Sequence, residues 1–281
     1  MKLSLVLSTH AAQFQAVALK GNLDENVRKI ASWGYQGVEL AIRDPSLVNA
    51  GQLDDLVRSH GMTVPAIGTG QAWGEEGLSY VDVDTAVRRA AIDRTKSHVP
   101  VASRLQALII IGLLRGIVRP GVDPTLAHRW MVDALKECCE VADGSGVRLA
   151  LEPLNRYETT LINTVDDGLA LVEEVGAPNL GLLLDTFHMN IEEPSIEGSI
   201  ATCGPHILHF HVADSNRWCP GAGHLDFRSI LSALQATGYG GWVSGEFMPW
   251  PDPDTAGQRA MAHLCGLGSP SWALQPIGDP L

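Results

Sequence analysis

The sequence of 281 residues lacks the features of secreted, membrane-spanning and nucleotide-binding proteins. Its five cysteines form no CxxC pair, which argues against a disulfide framework and predicts reduced thiols in a cytoplasmic protein. The N-terminal apolar stretch is too short for a signal peptide, and the longest apolar run, 107–114, is far shorter than the ~20 residues that cross a bilayer. No GxGxxG follows the first predicted strand and no GxxxxGK[ST] occurs, which argues against nucleotide binding.

Positive charge is scarce as well. Lys and Arg number 20 against 32 Asp and Glu, which gives a net charge of −12 with His neutral. Such a surface repels phosphate backbones, so we expect no nucleic-acid partner. Hydrophobic residues make up 45% of the chain and charged residues 19%, which supports a large core and excludes disorder. The ten histidines point to metal or proton chemistry.

Short apolar runs alternate with longer amphipathic stretches along most of the chain. The predicted strands are 3–7, 37–41, 63–67, 107–111, 148–151, 180–184, 206–211 and 242–245. The predicted helices are 22–33, 51–60, 84–98, 124–142, 165–175, 196–203, 227–236 and 255–267, and Pro100 is expected to stop the third. Eight such units in about 270 residues predict a closed (β/α)8 barrel of the α/β class, with an open doubly wound sheet as the alternative.

The barrel is predicted to occupy residues 1–268 as a single domain. Residues 269–281 contain three prolines and no helical period, so we expect an extended C-terminal tail there.

Four consecutive predicted strands end in strongly polar side chains. The catalytic residues of such barrels lie at the C-terminal ends of the strands. Three carboxylates converging there would repel one another, and a divalent cation removes that repulsion. Oxygen donors with one imidazole suit Mn²⁺, Mg²⁺ or Co²⁺ better than a structural zinc site. The four predicted ligands are Glu152, Asp185, His211 and Glu246.

Other polar residues on the strands are interpreted more simply. Glu39 is compatible with an ordinary residue bounding a strand, and the same interpretation is open for any one of the four ligands taken alone. His209 alternates with His211, so both should face the same side of their strand. We expect His209 to be a core histidine with its hydrogen bonds satisfied rather than a fifth ligand.

Several motifs in the second half of the chain resemble the sugar isomerase/epimerase superfamily of xylose isomerase-like barrels. They are similar above all to the ketose 3-epimerases of the D-tagatose and D-psicose group. The resemblance extends from Leu3 to about Leu267 and implies that the four strand-end residues hold a metal. It also implies substrate contacts from the positions of Glu158, His188 and Arg217. The motifs are LEPLNRYE at 151–158, LDTFHMN at 184–190, HFHVADSNR at 209–217 and GAGHLD at 221–226.

The resemblance predicts a metal-dependent isomerase that epimerises C3 of a ketose or keto-sugar acid through an enediolate. Glu152 and Glu246 would exchange the proton, one on each face of the sugar. His188 and Arg217 would hold the oxygens at C1 and C2, and Glu158 would orient them. Mn²⁺ is the first choice of cofactor, with Mg²⁺, Co²⁺ and Zn²⁺ as alternatives. The partner would be a small-molecule sugar, with no membrane, and the family suggests a homodimer or homotetramer.

Two arginines bear on the identity of the sugar. Arg43 and Arg115 follow the second and fourth strands, where the far end of a sugar would reach. A guanidinium pair suits the carboxylate of a keto-hexonate or a phosphate, which argues against a neutral hexulose. The resemblance adds 5-keto-L-gluconate as a candidate substrate, since similar barrels act on keto-sugar acids of this kind. Both could equally be solvated surface residues.

Three further functions remain as alternatives. An aldose–ketose isomerase, such as a hydroxypyruvate isomerase, would use the same metal and carboxylate pair to transfer a proton at the neighbouring carbon. An endonuclease-like barrel of the DNA-repair branch needs extra ligands for three zinc ions and a basic groove, neither of which the sequence supplies. A metal-free sugar-binding protein would leave three buried anions without a cation, which would destabilise the fold.

Overall fold

Nine parallel strands form the sheet in the computed structural model, whose described part is residues 1–267. Eight of them close into a barrel through the pairing of β1 with β9, while the short β2 pairs only with the end of β1. The predicted tail, 269–281, lies outside the described residues. The strands are β1 (Lys2–Ser8), β2 (Leu19–Lys20), β3 (Gly37–Ala41), β4 (Ala66–Gly68), β5 (Leu108–Ile111), β6 (Leu149–Leu151), β7 (Leu180–Asp185), β8 (Ile207–Val212) and β9 (Trp242–Gly245).

Helices follow the strands and cover the outside of the barrel. In the described part of the chain they are α1 (Leu23–Ser32), α2 (Ala50–Ser59), α3 (Gln71–Glu76), α4 (Thr85–Leu105), α5 (Pro124–Asp143), α6 (Val165–Val175), α7 (Thr186–Glu192), α8 (Ile196–Cys203), α9 (Phe227–Ala236) and α10 (Pro253–Gly266). None of these helices combines the length and the apolar character that a membrane crossing requires. The closed ring of eight parallel strands, with helices on its outside, confirms the predicted (β/α)8 barrel of the α/β class.

Local sequence signals explain the elements whose bounds were predicted correctly. In α6, the Thr164 side chain accepts from the Asp167 amide while the Asp167 carboxylate accepts from the Thr164 amide. This capping box satisfies amides that the first helical turn leaves free. Gly176 ends the helix with a φ of 68°, a conformation that glycine adopts without steric cost.

The prediction that Pro100 stops the third predicted helix, 84–98, was wrong. α4 continues through Pro100 to Leu105, because the last turn buries Val101, Ala102 and Leu105. Proline removes one backbone hydrogen bond from a helix interior, but burial of these side chains compensates. Helix α3, helix α7 and strand β2 were not predicted, since each is too short to show a period.

The parallel barrel brings the C-terminal ends of all its strands to one rim. Asp185 ends β7 and also caps α7, where its Oδ1 accepts from the Phe187 amide at 2.8 Å. One side chain thus fixes both the strand end and the start of the next helix, leaving its second oxygen free to face the rim. This oxygen belongs to the cluster described next.

Candidate metal and substrate site

The four predicted strand-end side chains meet at the rim. From His211 Nδ1, the distances are 3.9 Å to Glu152 Oε1, 3.9 Å to Asp185 Oδ2 and 3.8 Å to Glu246 Oε2. One possible ligand atom from each residue lies within 4.8 Å of those of the other three. Two ligand atoms that each lie about 2.1 Å from one ion are at most about 4.2 Å apart. The measured separations therefore fit a shared cation.

The hydrogen-bonding pattern also fits a cation. Glu152 Oε1, Asp185 Oδ2 and His211 Nδ1 are buried and have no hydrogen-bond partner among the described residues. Each unsatisfied buried polar atom costs about 1–3 kcal/mol, and more if it is charged. Glu246 Oε2 is also tied to Arg217 Nη2 at 3.1 Å. Three unpartnered atoms that face one another are what a cation would satisfy.

Glu39 is the functional residue that the sequence interpretation missed. It lies in β3, is 1% exposed, and accepts from His209 Nε2 at 2.7 Å and from His211 Nε2 at 3.0 Å. An ionised carboxylate can only accept, so Nε2 of His211 carries a hydrogen, and Nδ1 is the nitrogen that faces the cluster and would give its lone pair to a cation. A lone glutamate in the apolar strand GVELA was the available signal.

His209 lies inside the barrel, as expected, with 1% of its surface exposed. Its Nε2 bonds Glu39, but its Nδ1 has no partner in the described structure. The expectation of a fully satisfied histidine is therefore met at only one of its two nitrogens.

Burial and mutual repulsion shift the titration of the cluster. Burial, then the neighbouring Glu246, raises the pKa of Glu152 well above its usual range. Burial raises the pKa of Glu246 to about 7, against the pull of His211 and Arg217. Burial alone would lower the pKa of His211, but Glu39 and the other carboxylates raise it to about 10. These shifts reflect buried carboxyl groups that repel one another, and a cation bound among them would lower the pKa values of the carboxyl groups again.

The three predicted substrate contacts form a group beside the carboxylates. Arg217 Nη1 lies 3.0 Å from Glu158 Oε1 and 3.4 Å from His188 Nε2. Asn155 donates to His188 Nδ1 from its backbone N at 3.3 Å and from Nδ2 at 2.7 Å, so the ring hydrogen of His188 lies on Nε2. Burial, then Arg217, lowers the pKa of His188 well below its usual value. His188 and Arg217 thus present hydrogen-bond donors to the same space.

That space is a cavity of about 50 Å³ at the rim. Phe14 and Val17 form an apolar part of its wall, and Gly112 allows a close approach, since a Cβ there would lie 2.8 Å from Glu152 Oε2. Of the lysines and arginines in the described chain, only Arg217 lines the cavity. The arrangement can bind a small polar molecule and move a proton between two carboxyl groups.

Neither Arg43 nor Arg115 lines this cavity. Arg43 pairs with Glu75 at 2.6 Å and Glu76 at 3.2 Å, both on the unpredicted helix α3. The structure therefore does not bring it to the place where a sugar would lie.

Arg115 is fully buried and donates to backbone carbonyls instead. Its Nε bonds Leu161 O at 3.2 Å, its Nη2 bonds Ile162 O at 3.1 Å, and its Nη1 bonds the carbonyls of Gly112 and Glu152. Ile162 has a φ of 54°, a strained conformation for a β-branched residue. Arg115 thus holds a strained loop against the end of β6, next to Glu152, and the structure does not bring its side chain to the rim cavity.

Comparison with known proteins agrees with this geometry. Residues 27–265 match the family model described as xylose isomerase-like TIM barrel, and the chain belongs to this family. It is 31% identical over 242 residues to the L-ribulose 3-epimerase of Mesorhizobium japonicum, covering 85% of this chain and 80% of that protein. It is 33% identical over 224 residues to the D-psicose 3-epimerase of Ruminiclostridium cellulolyticum, covering 77% and 75%.

A solved structure gives the same result. D-psicose 3-epimerase with D-tagatose from Clostridium cellulolyticum H10 superimposes with a TM-score of 0.80 and 26% identity, covering 94% of this chain and 97% of that one. The predicted resemblance to the ketose 3-epimerases is confirmed.

Proposed function

We propose that this protein is a divalent-metal-dependent ketose 3-epimerase. The observation that carries the proposal is the set of three unpartnered ligand atoms, from Glu152, Asp185 and His211, that face Glu246 at the barrel rim. The similarity to an L-ribulose 3-epimerase and a D-psicose 3-epimerase supports the same reaction class.

A metal ion would be held by Glu152, Asp185, His211 and Glu246. When bound, it supplies positive charge beside the sugar oxygen that becomes negative as the neighbouring carbon loses its proton. Mn²⁺ is our first choice, because the donor set has three carboxylates and one imidazole. Glu39 would keep the His211 ring in the tautomer that presents Nδ1.

The protein's own side chains would bind the sugar and move the proton. Glu152 and Glu246 come from strands β6 and β9, which are separated by β7 and β8 in the barrel. One carboxylate would remove the proton from C3 and the other, in its protonated form, would return one on the opposite face. His188 Nε2 and the Arg217 guanidinium would donate to the sugar oxygens. The bond from Glu158 to Arg217 would orient that guanidinium.

A neutral ketose fits this site better than a keto-sugar acid. The expectation of an acidic substrate depended on Arg43 and Arg115, and both are engaged elsewhere. A carboxylate at the far end of the sugar would therefore find no guanidinium from these two residues to pair with.

Deuterium incorporation tests the proposal directly. The protein is treated with chelator, reloaded with Mn²⁺, and incubated in D₂O with L-ribulose, with D-psicose and with 5-keto-gluconate. We expect NMR to show the C3 epimer of a neutral ketose, with deuterium at C3. Deuterium at C1 with formation of an aldose would instead identify an aldose–ketose isomerase.

Metal binding provides a second measurement on the same preparation. We expect equilibrium dialysis to show one Mn²⁺ per chain, and Glu246→Gln to weaken binding and to abolish exchange at C3. The proposal would be contradicted if the protein bound no Mn²⁺ and exchanged deuterium into none of the three sugars. That result would favour a sugar-binding role.

A further inference from the structure

A large cavity lies at the opposite end of the barrel from the candidate active site. Its volume is about 620 Å³. It opens among the starts of β1, β5 and β9 and the loops before β4 and β6, with the ends of α2 and α4 at its sides. This end of a (β/α)8 barrel usually serves stability rather than chemistry, so a cavity of this size there requires an explanation.

The charge around this cavity is opposite to that of the whole chain. Lys2, Arg58 and Arg148 line it, against a single carboxylate from Asp54. That carboxylate already pairs with Arg58 at 2.5 Å and with Arg104 at 3.3 Å. Positive charge is therefore in excess here in a protein whose net charge is −12, and a cavity lined in this way attracts small anions.

The inner wall of the cavity includes a buried histidine. His209 lines it, is 1% exposed, and has no partner for Nδ1 in the described part of the chain. Because Nε2 of His209 donates to Glu39, Nδ1 is left as an acceptor. Nδ1 has almost no accessible surface, so hydroxyl contacts in the cavity fall to the lining side chains of Thr63, Ser103 and Ser145, while the cations at its mouth attract an anion.

An aromatic face completes the lining. Trp242 lies beside the entrance, with Lys2 Nζ 5.2 Å from the centre of its ring. The C–H face of a sugar packs well on an indole ring, and the ring leaves sugar hydroxyls free for polar contacts. Anion, hydroxyl and apolar contacts thus meet in one cavity.

We propose that this cavity binds a small hydroxylated anion, namely a sugar carrying a phosphate or a carboxylate group. The anionic group contacts Lys2, Arg58 and Arg148, and the sugar hydroxyls bond the serine and threonine side chains that line the cavity. The site is separate from the rim where Glu152 and Glu246 lie, so the inference does not depend on the proposed epimerase activity.

Calorimetric titration of the full chain tests the site. The probes are glucose 6-phosphate and gluconate, with glucose as the neutral control. We expect saturable binding of at least one anionic probe and none of glucose at the same concentrations. A response to only one of the two anions identifies whether phosphate or carboxylate is the group recognised.

Three variants locate the binding. Arg148 is exposed and makes no ion pair in the described structure, so Arg148→Glu should fold normally and weaken binding by at least about tenfold. Arg129→Glu, an equal charge change on an exposed residue of α5 that does not line the cavity, should leave binding unchanged. Arg217→Met, at the opposite rim, should also leave it unchanged.

Two results would overturn the inference. One is the absence of saturable binding by either anion. The other is binding that survives Arg148→Glu but is lost in Arg217→Met, since the probe would then occupy the candidate active site.

Discussion

The two halves of the barrel contribute to the candidate site in different ways. Strands β6 to β9 each place a carboxylate or an imidazole at the rim, and these side chains form the cluster. The first half supplies mainly small or apolar lining, such as Ala41, Gly68 and Ile110. Its exception, Glu39, bonds two imidazoles rather than facing the cluster. In the proposed mechanism the second half would carry the reacting groups, and the first half would shape and orient them.

This difference is tested most strongly by Glu152→Gln in the second half. The change keeps the side-chain volume but removes a ligand and a proton carrier, so we expect kcat for C3 epimerisation to fall by about 10³-fold or more. The measurement is the rate of deuterium exchange at C3 at saturating sugar, with Glu140→Gln on the exposed face of α5 as the matched control. A kcat within tenfold of wild type would remove Glu152 from the mechanism.

Arg115→Met tests the boundary between the two halves, because Arg115 follows β5 and holds the loop after β6. The variant leaves buried carbonyls without donors, so we expect the free energy of unfolding to fall by about 3 kcal/mol. Urea denaturation provides the measurement, with the exposed Arg129→Met as control. Two results together would restore the prediction that Arg115 contacts the substrate: an unchanged free energy of unfolding, and a KM that rises for a keto-sugar acid but not for neutral ketoses.

Glu39→Gln tests the contribution of the first half to the metal centre. The amide is neutral, and its NH₂ group would take the place of a carboxylate oxygen that faces an imidazole N–H donor, so the His211 tautomer is less well fixed. We expect Mn²⁺ affinity to fall by about 10–100-fold, the usual effect of losing a partner of a metal-bound histidine. Competition with a fluorescent chelator measures it, and an unchanged affinity would show that Glu39 has no such role.

Arg43→Ala should have the smallest effect. Its ion pairs with Glu75 and Glu76 are partly exposed, and such pairs contribute about 0–1 kcal/mol. We expect kcat/KM for every active sugar to stay within about twofold of wild type. A selective loss with an acidic sugar would show that Arg43 reaches the substrate after all.

The four members of the cluster could be predicted because each closes an apolar run, and parallel strands bring such positions to one rim. Glu39 could not be assigned in the same way. A glutamate within a strand has the same local pattern whether it faces solvent or two buried histidines, and only the closed barrel brings β3 and β8 to face each other across the interior.

The two arginines also show that a local sequence pattern does not reveal what a side chain contacts. Arg43 and Arg115 both follow strand ends, yet one is partly exposed and the other fully buried. Their surroundings depend on α3 and on the loop at Ile162, and neither segment has a period that a sequence could reveal. Pro100 is a third case, since burial of the following turn outweighs the tendency of proline to end a helix.

One carboxylate makes several of the hydrogen bonds that hold the loop carrying Arg217 in place. Asp214 accepts from the amides of Ser215, Gly221 and Leu225 at 2.8–3.2 Å. Gly223 lies so close that a Cβ there would be 2.2 Å from Asp214 Oδ1. Fixing a flexible arginine costs about 2 kcal/mol of rotamer entropy. Folding has already restricted this loop. A small ligand that binds the guanidinium therefore pays less conformational entropy than it would at a mobile side chain, and less of its binding free energy is lost.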